Sequence, residues 1–561
     1  MENSQHPRRR NRSSIISQEH VTSPPLTAPQ ETPSEKTKEV ATGFTDIYGD
    51  FSPRKAGLIS SFTVTLIYTF GPLSLIDRCR VRNRHRIDGR QWEKLELPAA
   101  MMISYTLVGF TVFLVLSALG EVAAWLPKPS TVADQAFRFC DPALGFTLGW
   151  IYWLKYAMIT PNQLTAAALV VDLWLDHERV NPGVWITIFI IIITALNYIR
   201  HSLPSQIEFY VSTVKLFVMS GLMIVSLVLA LGGGPDHDVR GFRYWQQPGA
   251  FVMSKEHMPE ALFATCGAMS SATFAYIGSE RSGVLAQSPN VPKAMNRAIK
   301  HTFYRIMVFH LLGITLLGMT LPYDSLRSSF YPGSTVNQRA SSPFVAALME
   351  AGIAVLPHLL NVCILFFILS IATYDLFLAT KALSDLALRN RAPKFLSKVN
   401  SNGVPVYALA ASTCMVTLAY LNVSQDSKMV FGYLLNLVTM LGLLTWISIL
   451  VTHICFVRAR KAQGISDDML AFKARFGLPG TWLALALCVF ISSTMVISAL
   501  YVRESKIEVD PAKFMAAFVG VPAYISLYFG HKIIQKSKHI DPRDADFWSD
   551  KTPDSGSVIT S

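Results

Sequence analysis

Glu121, Lys155, Glu208, Lys215, Glu280 and Asp375 lie in or at the edge of long apolar stretches of this chain. An ionised side chain is costly in hydrocarbon. Such residues therefore face the inside of a helix bundle, where they pair with one another or handle protons, ions and polar substrates. Lys155 is followed seven residues later by Asn162, almost two helical turns, so the two share a face. Gln163 extends this polar strip, and Pro161 frees a backbone carbonyl beside it. The strip suits the carboxylate of an acidic substrate; equally, Lys155 can pair with an internal carboxylate and never meet substrate. Glu208 and Lys215 are also seven apart and share a face. They stand in the half of their stretch from which a lysine snorkels, so they read as structural. Glu121, in A-L-G-E, is placed to bond a neighbouring loop. In F-A-Y-I-G-S-E (274–280), Gly278 permits unwinding, Phe274 and Tyr276 can wall a site, and Glu280 is either an internal group or a helix-end cap beside Arg281.

Other chemistries lack their residues. No C-x-x-C pair or His/Cys cluster suggests a metal, and no cofactor is expected. His310 and His358 stand alone, without the Ser/His or His/Asp constellation of a membrane-embedded enzyme. Seven cysteines are too few for a disulfide framework. Cys266, Cys363, Cys414, Cys455 and Cys488 lie in or beside apolar runs, where a thiol acts as a small hydrophobe.

These groups must be positioned by membrane helices. Of 561 residues, 51% are hydrophobic and only 16% charged, well below the charge of soluble multidomain proteins. The net charge of +12 is spread in short clusters between apolar runs, which argues against nucleic acid as a partner. About twenty apolar residues span a bilayer. The candidate spans are 57–76, 97–126, 143–171, 184–199, 207–231, 260–280, 303–322, 358–380, 404–421, 430–456, 480–501 and 514–530. The fold class expected is all-α, with about twelve transmembrane helices; no span has the alternation of a β-barrel. Residues 1–56 read as a disordered tail, 57–531 as the transmembrane domain and 532–561 as a second tail. Both tails are short and lack apolar docking motifs. Lysine and arginine concentrate after even-numbered spans, as in Arg389, Arg391, Lys394 and Lys398, whereas 172–183 holds Arg179 against three acids. Even-numbered loops and both termini are therefore expected in the cytosol.

Several stretches carry a resemblance: A-L-G-E-V-A-A-W-L-P (118–127), F-C-D-P-A-L-G-F-T-L-G-W (139–150), V-N-P-G-V-W-I-T-I-F (180–189), G-F-R-Y-W (241–245), S-S-P-F-V (341–345), V-L-P-H (355–358), R-A-P-K-F (391–395) and K-A-Q-G-I (461–465). In this order and spacing they resemble the fungal amino-acid permeases of the amino acid–polyamine–organocation superfamily. W-L-K-Y-A-M-I-T-P-N-Q-L-T-A-A (153–167) is most similar to the dicarboxylic branch. The resemblance implies an inverted-repeat fold and proton-coupled uptake of amino acids, acidic ones first, at the plasma membrane. Neutral or basic substrates, or a sensor that binds without transport, are the alternatives. Amino acid, protons and lipid bilayer are the implied partners. Transporters of this shape hold substrate at broken helices, where exposed N–H groups take the carboxylate and carbonyls the ammonium. Breaks are expected in the first and sixth helices. Phe274, Ala275, Tyr276, Ile277 and Gly278 are then expected to line the site with Lys155, Asn162 and Gln163. Glu121, Glu280 and Asp375, the last in an Asp-Leu pair the family shares, are expected to serve gating or coupling.

The first helix departs from this pattern. In place of a small-residue stretch like I-A-x-G-x-x-I-G-T-G, the chain has I-D-R-C-R-V-R-N-R-H-R-I-D-G-R-Q-W-E-K (76–94). Its arginines cannot sit in hydrocarbon, at about 2.5–3.5 kcal/mol each. Read one nucleotide later, compatible codons encode I-A-V-G-S-A-I-G-T-G-S-T-G-G-S-G-K. A frame-shifted or mis-spliced first helix is one reading, and a diverged basic loop the other. Smaller departures lie at Ser130 and Thr131, and at R-H-S-L-P-S (200–205); both are expected to weaken gating.

Overall fold

A computed structural model describes residues 98–126, 131–171, 173–175, 180–235, 237–246, 258–280, 291–321, 342–423, 427–498, 500–503, 506–509 and 511–548. The first apolar run, the arginine-rich 76–94, Ser130 and residues 1–56 lie outside them.

The described chain is all-α apart from one hairpin. Its helices are α1 (Pro98–Trp125), α2 (Val132–Phe139), α3 (Pro142–Val171), α4 (Pro182–Ile199), α5 (Leu203–Ala230), α6 (Met258–Tyr276), α7 (Val291–Thr320), α8 (Pro343–Glu350), α9 (Leu356–Leu388), α10 (Val406–Val416), α11 (Ser427–Ala462), α12 (Gly477–Ser498), α13 (Pro511–Phe518) and α14 (Gly520–Gln535). Apolar runs two to twelve each fall on one of them, with α13 and α14 sharing the last. Strands β1 (Leu500–Arg503) and β2 (Lys506–Val509) pair antiparallel between α12 and α13. Seven helices are long and apolar enough to cross a membrane, and α7 and α10 contribute shorter apolar segments. The fold is that of a polytopic all-α membrane protein.

Several helices outrun their apolar stretches. The first turns of α7 carry Lys293, Arg297 and Lys300, and the last turns of α9 carry Lys381 and Asp385. Backbone hydrogen bonding continues a helix past the hydrocarbon boundary, where hydropathy stops marking it. The short α2 has a local cause: Thr131 is its N-cap and forms a capping box with Asp134. Thr131 thus starts a helix here.

Two packed groups make up the bundle. In one, α1 packs against α6, α7 and α12; in the other, α9 packs against α3, α4, α5 and α10. α11 touches α1, α3, α6 and α12, and so lies between them. Polar side chains tie the second group together. Asn361 Nδ2 donates to the Val170 carbonyl (2.9 Å), and Asn197 Nδ2 to the Thr373 carbonyl (3.0 Å).

The loops sort to two ends. At one, Arg138 bonds Asp546 (3.0 Å), Asp134 meets Arg389 (2.7 Å) and Arg391 (3.2 Å), and Asn402 Nδ2 donates to the Ile199 carbonyl (3.1 Å). At the other, Trp174 bonds His358 (3.2 Å), Thr187 bonds Tyr420 (2.7 Å) and Arg240 donates to the Thr320 carbonyl (2.8 Å). Loops after even-numbered spans thus meet one another, as do loops after odd-numbered spans.

The C-terminal residues correct the expectation of a tail without apolar docking. Ala545 and Phe547 are buried in a cluster with Trp125, Phe139 and Phe456. Gln463 Nε2 reaches the carbonyls of Pro542 (3.3 Å), Arg543 (3.2 Å) and Ala545 (2.7 Å), and Ile540 N–H donates to the Cys140 carbonyl (3.0 Å). At the base of this seat, Asp141 accepts from Lys532 (2.8 Å), Tyr528 (3.1 Å) and the Ala143 N–H (2.8 Å). Burial raises the Asp141 carboxyl, but these donors outweigh it and hold the group below the usual carboxylate range.

Candidate functional site

The site lies where the two groups meet. α6 ends at Tyr276 because Gly278 takes a φ of +92°, a conformation that side chains other than hydrogen rarely tolerate. The Ile277 N–H still reaches back to the Thr273 carbonyl (3.1 Å), but the Gly278 N–H turns instead to Glu280 Oε2 (3.0 Å). The carboxylate therefore caps the break it follows. Phe274, Ala275, Tyr276 and Ile277 are all buried. Ile277 packs on α11, where a Cβ at Gly442 would lie 2.8 Å from Ile277 Cγ1, so that glycine admits the side chain. The Tyr276 hydroxyl donates to the Tyr105 carbonyl of α1 (3.0 Å), and its ring lies 4.7 Å from that of His310.

Glu280 is no solvent-facing cap beside Arg281: it is fully buried. Lys155 Nζ, from α3, donates to its Oε1, and Trp446 Nε1, from α11, donates to its Oε2 (3.2 Å). Lys155 is also fully buried, with its ammonium over the rings of Tyr152 (4.3 Å) and Tyr156 (4.5 Å). Three elements thus converge on one ion pair. Removing either partner would leave a buried charge uncompensated.

About two turns along α3 lies the rest of the polar strip. Pro161 stands inside α3 without ending it. Gln163 Nε2 donates to Asp375 Oδ2 of α9 (2.7 Å), both fully buried, so Asp375 pairs these two helices. Asn162 is fully buried, yet neither its Oδ1 nor its Nδ2 bonds any group among the described residues. A buried amide with donor and acceptor both unmet is uncommon in a protein interior.

The remaining ionisable groups lie apart from this pair. The Glu208 Oε1 accepts from Lys215 (2.9 Å) and Ser212 (2.7 Å), and its Oε2 from Ser370 of α9 (2.6 Å). Lys215 does not snorkel; it is fully buried in this intrahelical pair, which the short Glu208 cannot follow to an interface. Glu121 accepts from the Ala474 N–H (2.8 Å), a loop bond, and meets His453 Nε2 (3.3 Å). His453 Nδ1 in turn bonds Thr481 (2.9 Å).

Sequence reasoning missed Trp446, His453 and Gly442. All are on α11, whose apolar run gave no reason to single them out. Their signal is helical spacing: Trp446 and His453 are seven residues apart and share a face, about 10.5 Å along the axis. Through that face α11 touches Glu280 near the site and Glu121 near the α2 end.

Residues 97–541 match the sequence profile of the family described as Amino acid permease. The chain is 40% identical over 462 residues to the dicarboxylic amino acid permease of Saccharomyces cerevisiae, covering 81% of this chain and 74% of that protein. The proline-specific permease of the same yeast is 33% identical (78% and 70% covered), and its lysine-specific permease 30% identical (81% and 75%).

Proposed function

This chain belongs to the amino acid permease family, and we propose that it takes up acidic amino acids, aspartate and glutamate, together with protons. The observation that carries this reading is the buried Lys155–Glu280 pair at the break after α6. At rest its charges cancel. An acidic amino acid carries one net negative charge. When a proton neutralises Glu280, Lys155 is released to meet the substrate's side-chain carboxylate, and the buried charge again sums to zero. An uncompensated charge in this interior is costly, so proton and anion enter as a pair. The Gly278 N–H, now bonded to Glu280 and released when that side chain turns away, and the unmet amide of Asn162 offer a donor and an acceptor for the substrate's backbone groups. Phe274, Ala275, Tyr276 and Ile277 wall the position, and Gln163 with Asp375 holds α3 against α9. The 40% identity to a dicarboxylic permease supports the same substrate class.

The plasma membrane is the proposed location, with residues 1–56, 532–561 and the α2 end of the bundle in the cytosol. The inverted-repeat fold and a first helix altered at 76–94 belong to the same proposal. Relatives named for proline and lysine favour a second reading, a permease for neutral or basic amino acids. The test is labelled uptake at matched surface levels, in the chain as it stands and in a version carrying the shifted reading across 77–94. The restored version is expected to import aspartate and glutamate, faster at lower external pH, and the chain as it stands poorly. Lys155→Ala should depress acidic substrates more than neutral ones. Equal depression across substrates, or uptake of proline or lysine alone, overturns the acidic assignment.

A further inference from the structure

Where the α2–α3 corner meets α11, two cysteines touch. Cys455 Sγ donates to Cys140 Sγ at 3.0 Å, and both are free thiols. Cys140 is buried, and Cys455 half-buried. Among the described residues, Cys363, Cys414 and Cys488 are free thiols as well. We propose that Cys140 and Cys455 form a redox-sensitive modification site, a reversible disulfide that clamps α11 to the start of α3.

The geometry asks for little movement. A disulfide holds its sulfurs about 2.05 Å apart, so closure needs a shift of about 1 Å, within reach of side-chain rotation. With hydrogen peroxide as oxidant the reaction balances. The more exposed Cys455 attacks one peroxide oxygen as thiolate, the O–O bond breaks, and sulfenic acid forms with loss of one water. The Cys140 sulfur then attacks the sulfenic sulfur and expels a second water, with the two thiol protons carried away in the waters. Two thiols lose two electrons and the peroxide gains them. A dithiol reductant reverses the bond by exchange. At a cytosolic face such a bond is transient, which suits a switch more than a staple.

The clamp would act across the junction that the substrate site uses. α11 carries Trp446 and α3 carries Lys155, the two helices whose side chains meet on Glu280. Covalent linkage at their α2 end fixes α11 against α3 there and so stops relative movement of these two helices. This consequence rests on the transport reading; the chemistry of the thiols does not.

The test uses the full chain in membrane vesicles. After hydrogen peroxide and alkylation of remaining thiols, mass spectrometry is expected to show a Cys140–Cys455 cross-linked peptide, two hydrogens lighter than the sum of its parts and lost with dithiothreitol. Hydrogen exchange at the α2 end of α11 is expected to slow in the oxidised protein. Both changes are expected to vanish in Cys140→Ser and in Cys455→Ser and to persist in Cys266→Ser. Full alkylation of both thiols after peroxide, or peroxide consumed only as sulfonic acid, overturns the site. Labelled uptake, measured in the version carrying the shifted reading across 77–94, separates the second claim: peroxide should inhibit it there and not in the same version with Cys140→Ser, with recovery on reduction. Inhibition that survives in Cys140→Ser, with the cross-link detected in the parent, overturns the clamp and leaves the thiol chemistry standing.

Discussion

α3 and α4 are neighbours in sequence and opposites in character. α4 reads P-G-V-W-I-T-I-F-I-I-I-I-T-A-L-N-Y-I, and only 22% of its most apolar window is buried inside the protein. α3 carries Lys155, Asn162, Gln163 and a proline, all fully buried, and is not among the seven helices apolar enough to pass as spans by composition. In lipid the apolar face is the outside, so the polar groups of α3 turn inward, where they find partners. Mean hydropathy alone does not sort the helices by exposure: the most apolar window, in α9, is 67% buried, and that across α13 and α14 only 11%.

The sharpest way to break this comparison is to unpair the charges of α3. Lys155→Ala or Glu280→Ala should each destabilise by about 3–5 kcal/mol, because one buried charge is stranded. The double variant Lys155→Met/Glu280→Gln should recover most of that, read by thermal unfolding in detergent. If the single variants are as stable as the parent, the pair is not buried as described.

Gly278→Ala comes next. A Cβ at φ +92° is strained by about 1–2 kcal/mol, so unfolding should shift by that amount and the break should be disturbed. A helix that continues unbroken through 278 would show no such loss.

Asn162→Leu runs in the opposite direction. Removing a buried amide that bonds no described protein group should leave stability equal or higher by about 1 kcal/mol, and in the version carrying the shifted reading across 77–94 it should abolish uptake. Strong destabilisation would mean that Asn162 holds the fold and not a ligand. On the lipid side, Ile191→Ala of α4, at a position 62% exposed, should change stability within about 0.5 kcal/mol.

The smallest effect concerns pH. The Asp141 carboxyl is lowered in the folded chain, so its contribution is full above the ordinary carboxylate range and lost only as pH falls through the lowered value. Proteolysis of residues 536–548 should therefore proceed at the same slow rate at pH 7.5 and 5.5. Acceleration at pH 5.5 would point to a different titrating group.

The sequence made the spans legible and their partners illegible. Basic loop residues that the alternation grouped share one end: Arg138 bonds Asp546, and Arg389 and Arg391 meet Asp134. The spacing of Lys155 and Asn162 gave their shared face, and Gly278 gave the end of α6. That Lys155 meets Glu280, 125 positions away, follows from packing, which no local period encodes. The family pattern drew the eye to the sixth helix and away from α11, whose Trp446 donates to Glu280. The hairpin at 500–509 was masked by the apolar run before it, and the docking of Phe547 by a terminus that reads as polar.

That docked terminus bears on how truncations are interpreted. The grip of Gln463 on three carbonyls and the seat of Phe547 among Trp125, Phe139 and Phe456 make residues 536–548 a lid over an apolar surface. A chain cut after Gln535 would present those rings to water, the kind of surface that cellular quality control recognises and removes. Loss of such a protein from the cell surface would then report a wound in the fold. A sorting signal in the tail should be inferred only from variants that keep the lid.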